Sequence, residues 1–430
     1  MLSIFLGMRA FICLVVVFAI FSCQPPIKED EHFLMNLIKN EPEKFQYIIN
    51  HAEPLEVQII YTQINRDSIN RPNFKSFYFN VDSTNYFYPA STVKLPQVLL
   101  ALEKINELKA QGIKIDKFTP IYHDSLYRGQ QSVKWDATAI DKLPTIAHYA
   151  KKILVVSDND AFNRLYEFLG QKATNEKLKS KGYNVRFLHR LERPLSPDQN
   201  RHTEGIRFVK NDTVLFKQDM LVNEDSIRPL RNVFKGTGYV KRDLLVQQPF
   251  DFTYKNFYPL VEQQEILKSI IFPNAIDSKR RFNLSEDDRR FVLQYMSQLP
   301  TETLSPPYKK DTALYDAYCK FLMYGEDRQP IPKNIRIFNK VGDAYGYLID
   351  NAYIVDFENG IEFMLSAVIN TNTDGIYNDG KYEYKTIGYP FMKNLGQTIY
   401  TYELGRKRKF KPDLNEFVLK YDSSIVNLKN

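Results

Sequence analysis

The sequence predicts an α/β fold of the α+β kind, with one sheet built from both ends of the chain and a helical lobe between them. Three observations carry this. Segments 56–64 and 76–81 alternate and are rich in β-branched residues, and so are 335–341, 352–357 and 361–369. Between these groups, apolar residues recur mainly at helical spacing. The stretch 206–257 departs from that pattern, with alternating polarity, a Gly236-Thr237-Gly238 turn and many aromatic residues, and reads as a β-rich insertion.

In chain order, Phe33, Leu34, Leu37, Ile38, Phe45, Ile48 and Ile49 predict a helix over 33–50 that breaks near Pro42. A pair of strands follows. Pro89 and Ser91 then open a helix that runs through Leu99, Leu100, Leu102 and Ile105 and stops near Gly112, bent by Pro96. Residues 143–156 and 160–169 form two helices joined at Ser157-Asp158-Asn159. After the insertion, helices are expected at 260–271 and 285–299. The second is capped by Ser285 and opens on acidic residues that suit a helix N-terminus. Three strands and a helix at 384–402 complete the body, and 403–430 reads as a solvated tail that contains the basic run 406–411.

A chain of 430 residues can bury a full core, and 43% hydrophobic with 25% charged residues is ordinary for a globular protein. The net charge of +7 is dispersed. No basic patch interleaved with aromatic residues supports nucleic-acid binding. Residues 1–22 carry one arginine, a short apolar run and a small residue before a cut, as in a secretory signal peptide. Cys23 follows Ser22 in the manner of a bacterial lipoprotein, so lipidation at Cys23 would tie the chain to a membrane, with 23–32 as a Pro-stiffened tether. Cys13 would leave with the signal. Only Cys319 would remain as a thiol, and the six histidines show no metal spacing. No metal or cofactor is expected, and the chain reads as a monomer of the cell envelope.

Three short motifs carry the chemistry. Ser91-Thr92-Val93-Lys94, Ser157-Asp158-Asn159 and Lys340-Val341-Gly342 occur once each and in this order. Residues three apart on a helix share a face, so Lys94 can reach Ser91. A lysine that burial keeps neutral can take the serine proton, and the backbone N–H of Ser91 near a helix start can hold an oxyanion. Nothing of the G-x-S-x-G or phosphate-loop type appears.

Together these motifs resemble the S-x-x-K, S-D-N and K-T-G set of penicillin-binding proteins and class A β-lactamases. The resemblance covers residues 33–402 and implies an antiparallel sheet flanked by helices beside an all-helical lobe. It implies Ser91 as the acylated nucleophile, Lys94 as its base and Ser157 as the proton relay to the leaving nitrogen. Asn159 would bind the substrate amide, Lys340 a substrate carboxylate, and Asp158 would hold the turn. Gly342 and Asp343 would flank the substrate, the latter giving the second oxyanion N–H.

Arg190-Leu191-Glu192-Arg193-Pro194-Leu195-Ser196 resembles the family's R-x-E-P-x-L-N loop and lies 35 residues beyond Ser157. Glu192 is thus the candidate deacylation base; the bland alternative is a surface glutamate paired with Arg190 or Arg193. Two departures stand out. Ser196 replaces the asparagine of the loop, and Val341 replaces a hydroxyl residue whose bond to a charged group is worth about 1.5–3 kcal/mol. The expected activity is hydrolysis of β-lactam or peptide-like amides through an acyl-enzyme. The alternatives are a penicillin-binding or DD-peptidase-like protein, and a catalytically weak lipoprotein that captures cell-wall peptide.

Overall fold

The computed structural model describes residues 28–225 and 232–422. The expected signal segment, Cys23 and the first part of the tether lie outside them. Five strands form the main sheet: β1 (Gln58–Arg66), β2 (Pro72–Phe79), β3 (Ile335–Ala344), β4 (Tyr347–Asp356) and β5 (Ile361–Asn370). Their spatial order is β3-β4-β5-β1-β2, every neighbour antiparallel. Pairing of β1 with β5, Tyr61 opposite Leu365, closes the sheet across most of the chain. Strands β4 and β5 are buried along their whole length, which explains why apolar residues predominate on both of their faces.

Helices α1 (Lys28–Lys39) and α2 (Pro42–Asn50) lie on one face of this sheet, and Pro42 sits at the start of α2, where its missing N–H is harmless. Helix α1 begins at Lys28, so the latter part of the predicted tether is helical. Next come α3 (Lys94–Ala110), α4 (Ile146–Val156) and α5 (Asn159–Leu169), the core of the helical lobe. Pro96 falls in the first turn of α3 and removes no interior helix bond, contrary to the expected bend. Helices α6 (Leu260–Ile271) and α7 (Glu286–Ser297) cover the second face of the sheet, the latter with the Ser285 capping box in place. The last helix, α8 (Tyr389–Gly405), joins α1 and α2 on the first face.

Two other expectations need correction. The stretch 206–257 is β-rich but is not one unit. Gly205–Lys210 pairs with Ile121–Asp124 on one side and Thr213–Gln218 on the other, and Ile206 and Phe208 belong to the core of the helical lobe. Further on, Gly238–Lys241 pairs with Leu244–Val246 and, in parallel, with Ile376–Tyr377. Nor are residues 403–422 a solvated tail. Phe417 is fully buried against Phe338 and Tyr353, and Leu414 and Tyr421 are buried as well. The basic run is held by Glu403, which has no exposed surface and ion-pairs both Arg406 and Arg408. A buried carboxylate needs such partners.

The loop 189–202 is pinned by one ion pair. Arg190 and Glu167 are both buried and meet twice, Nε to Oε1 at 2.5 Å and Nη2 to Oε2 at 2.7 Å. Arg190 also donates to the carbonyls of Gln199 and His202. Removing one partner strands a charge in the core. Arg190→Ala is therefore expected to lower stability by about 3–5 kcal/mol in urea titrations, whereas Arg193→Ala, at a half-buried pair with Asp160, is expected to change it little.

Candidate active site

A polar site forms where the start of α3, the α4–α5 junction and β3 converge. Ser91 lies in the 3-10 turn Ala90–Val93 that leads into α3. Ala90, just before it, has φ +47, a conformation L-residues rarely adopt. Strand β3 runs hard against this turn. A Cβ on Gly342 would stand 2.9 Å from both the Pro89 carbonyl oxygen and the Ser91 nitrogen, so only glycine fits. The approach brings the strand edge that bears Asp343 beside the Ser91 amide, as an oxyanion pocket requires.

Ser157 ends α4 in the left-handed conformation, φ +60, and Asp158 caps α5 by accepting from Ala161 N at 2.7 Å. This turn aims three acceptors at Lys94. The Lys94 Nζ reaches the Ser157 carbonyl, the Ser157 Oγ at 3.2 Å and Asn159 Oδ1 at 2.5 Å. Among the described residues it makes no hydrogen bond to the Ser91 hydroxyl, where a direct contact was expected. The three oxygens of the α4–α5 junction have drawn the amine across the site. From the opposite side, Lys340 Nζ donates to the same Ser157 Oγ at 2.8 Å and to the Val341 carbonyl at 2.9 Å. One hydroxyl thus lies between two amines from distant segments.

Both lysines are buried. Desolvation, helped by the charge of Lys340, holds the Lys94 amine well below the usual lysine range. Lys340 is also lowered by desolvation, to about 8, with Cys319, Asp343 and Asp350 pulling the other way. A neutral Lys94 amine satisfies the Ser157 carbonyl and Asn159 Oδ1 with its two N–H bonds. Its lone pair remains to accept a proton. Sequence reasoning missed the buried network behind Lys340. Lys320 Nζ donates to Asn339 Oδ1 at 2.6 Å, and Asn339 Nδ2 to Asp350 Oδ1 at 2.8 Å. Burial raises Asp350 to about 6. Its signal was present, since Asn339 and Asp350 each interrupt an apolar strand.

A cleft of about 440 Å³ opens beside these groups, lined by Ser91, Asn159, Glu192 and Asp343, among others. The structure therefore brings Glu192 to the same cleft as Ser91. Glu192 is exposed and, among the described residues, pairs with neither Arg190 nor Arg193, which take Glu167 and Asp160. Ser196 is occupied elsewhere: it caps the short helix Pro197–Arg201, accepting from Gln199 N at 3.1 Å. Val341 packs into the apolar cluster beneath α8 and does not line the cleft. The remaining wall is aromatic, with Tyr88, Tyr345 and Tyr382, none of which the motifs indicated. Asn378 and Gly380, from a turn recognisable in the sequence, supply the rim next to Tyr382. None of the lining residues comes from 206–257, but Phe250 and Phe252 stand behind Tyr345 with ring centres 5.4 Å away.

Residues 43–222 match the model of the beta-lactamase enzyme family. No curated protein matches the chain. Among solved structures, the chain is similar to the β-lactamase of Sphaerobacter thermophilus at 12% identity and a TM-score of 0.45, over 87% of this chain and 97% of that one. It is similar to the class A β-lactamase of Clostridium kluyveri at 15% identity and 0.41, over 83% and 98%. For PBP-A the values are 14% and 0.45, over 88% and 98%. The matched segment holds Ser91, Lys94, Ser157, Asn159 and Glu192, whereas Lys340 to Asp343 reach the site from beyond it. Over residues 43–222 the chain is β-lactamase-like, and its SxxK and SDN residues fall within that stretch.

Proposed function

We propose that this chain is a serine hydrolase of the class A β-lactamase type, acting on β-lactam or peptide-like amides through an ester on Ser91. The observation that carries the reading is the Ser157 hydroxyl held between Lys94 and Lys340, beside a cleft that both Ser91 and Glu192 line. As Ser91 Oγ bonds to the substrate carbonyl carbon, its proton passes to the neutral Lys94 amine. The C–N bond then breaks, Ser157 gives its proton to the leaving nitrogen, and Lys94 returns the proton to Ser157. The N–H groups of Ser91 and Asp343 hold the oxyanion. Glu192 takes a proton from an incoming water whose oxygen attacks the ester carbon; the bond from that carbon to Ser91 Oγ breaks to give a carboxylic acid, and the proton held by Glu192 returns to Ser91 Oγ. At its N-terminus we propose a lipoprotein, anchored through lipid on Cys23 at the cell envelope and working as a monomer.

A second reading keeps the acylation and loses the turnover, as in a penicillin-binding protein. The engagement of Ser196 in a helix cap favours it, because the loop then lacks the amide expected to steady the water beside Glu192.

Fluorescent penicillin and a chromogenic cephalosporin test both readings. Wild type is expected to form a Ser91-linked adduct that Ser91→Ala abolishes, and Glu192→Gln is expected to lengthen the adduct's lifetime by about a hundredfold or more. A Ser91→Ala variant that still turns over would refute the serine mechanism, and an unchanged adduct lifetime in Glu192→Gln would remove the base. The pH profile follows from the two amines. Acylation needs neutral Lys94, so kcat/KM falls as pH drops through its lowered pKa; it falls again as pH rises past about 8, where Lys340 loses its charge. Lys340→Ala is expected to erase the alkaline limb, and a limb that persists there contradicts the assignment.

A further inference from the structure

The charge of the cleft points away from the substrates its motifs suggest. Among its lining residues there is no lysine, arginine or histidine, whereas Glu192 and Asp343 both present carboxylates to it. Among the described residues, neither carboxylate has a hydrogen bond or ion pair. Lys94 and Lys340 lie behind the cleft wall, Lys94 donating to Ser157 and Asn159 and Lys340 to Ser157 Oγ and the Val341 carbonyl. Val341, in the core, offers a substrate carboxylate no donor.

The two carboxylates feel one another. Crowding by protein raises the Asp343 carboxyl above its ordinary range, and the charge of Glu192 adds to that, while Lys340 and Lys94 pull it back. An arriving carboxylate would meet this field with nothing to pair with. An arriving ammonium would relieve the repulsion and find the rings of Tyr88 and Tyr382 in the cleft lining, while Tyr345 already carries the Lys255 ammonium over its ring at 5.8 Å.

Resting on the serine-hydrolase reading, we infer that the cleft favours acyl substrates carrying a positive charge near the scissile carbonyl, such as a peptide-like amide or ester with a free side-chain ammonium, and takes those carrying a carboxylate there, β-lactams included, less readily. Asp343 is the specificity-determining side chain, and Glu192 adds to the field. The position of Asp343 on β3 beside the Ser91 turn places its charge next to the oxyanion pocket, in a cleft that Asn159 and Tyr345 also line.

Three thioesters of equal length test this, with an acyl chain ending in an ammonium, a methyl group or a carboxylate. Thiol release is followed for wild type, Ser91→Ala, Asp343→Asn and Glu192→Gln. In wild type, kcat/KM is expected to rank ammonium, methyl, carboxylate, with about tenfold or more between the extremes at low salt. That span narrows in Asp343→Asn and shrinks as salt rises in wild type, a readout that holds even if the variant folds poorly. A carboxylate substrate equal to or better than the ammonium one in wild type overturns the inference while leaving the serine reading intact. So does an unchanged ranking in a folded Asp343→Asn. Equal release of all three by Ser91→Ala overturns the serine reading, and this inference with it.

Discussion

The Ser157 hydroxyl can stand between two lysine amines only if three remote segments hold their places. Lys94 comes from the first turn of α3, Ser157 from the left-handed end of α4 and Lys340 from a strand 183 residues further along. Burying two amines is costly unless they are hydrogen-bonded, and desolvation drives both towards the neutral form. Oxygens supplied by the α4–α5 junction satisfy Lys94, while the strand's own carbonyl and Ser157 satisfy Lys340. The two lysines differ as a result. Lys94 is the more strongly lowered and suits a proton acceptor, whereas Lys340, near 8, keeps much of its charge at neutral pH.

The elements that surround this contact serve it. Gly342 lets β3 approach the Ser91 turn to a distance no other side chain would tolerate. The Arg190–Glu167 pair fixes the loop that delivers Glu192 to the cleft. Several groups at the cleft sit in the left-handed backbone region, among them Ala90, Ser157, Glu192 and Tyr345. Backbone strain of this sort persists only where surrounding structure over-determines it, and it tends to gather at working sites. The aromatic layer of Phe250 and Phe252 behind Tyr345 links the β-rich stretch to the cleft wall without entering it.

Much of this was legible in the sequence, for reasons that differ by element. The strands were read from β-branched alternation and the helices α6 and α7 from periodicity and the Ser285 cap, because those signals are local. The three motifs named residues that the fold gathers, since S-x-x-K and S-D-N each sit at a helix start where backbone geometry dictates position. What escaped depended on distant pairing. Nothing local reveals that Lys94 leans to Ser157 and away from Ser91, because the pull comes from a turn 63 residues away. The tail looked solvated because its arginines were visible while the buried Glu403 they satisfy was not. The split of 206–257 between two sheets, and the tyrosine wall of the cleft, follow from packing that periodicity does not encode.

Burial makes Lys94 give up its proton far more readily than an ordinary lysine, beside a hydroxyl that Lys340 orients. Side-chain nitrogen NMR of selectively labelled lysines, followed through a pH titration and assigned with a Lys94→Arg variant, measures this directly. Lys94 is expected to lose its proton well below the ordinary lysine range and Lys340 to titrate near 8, alongside the other buried lysines Lys320, near 8, and Lys104, near 7. A Lys94 signal that stays that of an ammonium up to the ordinary lysine range, about pH 10, would contradict it.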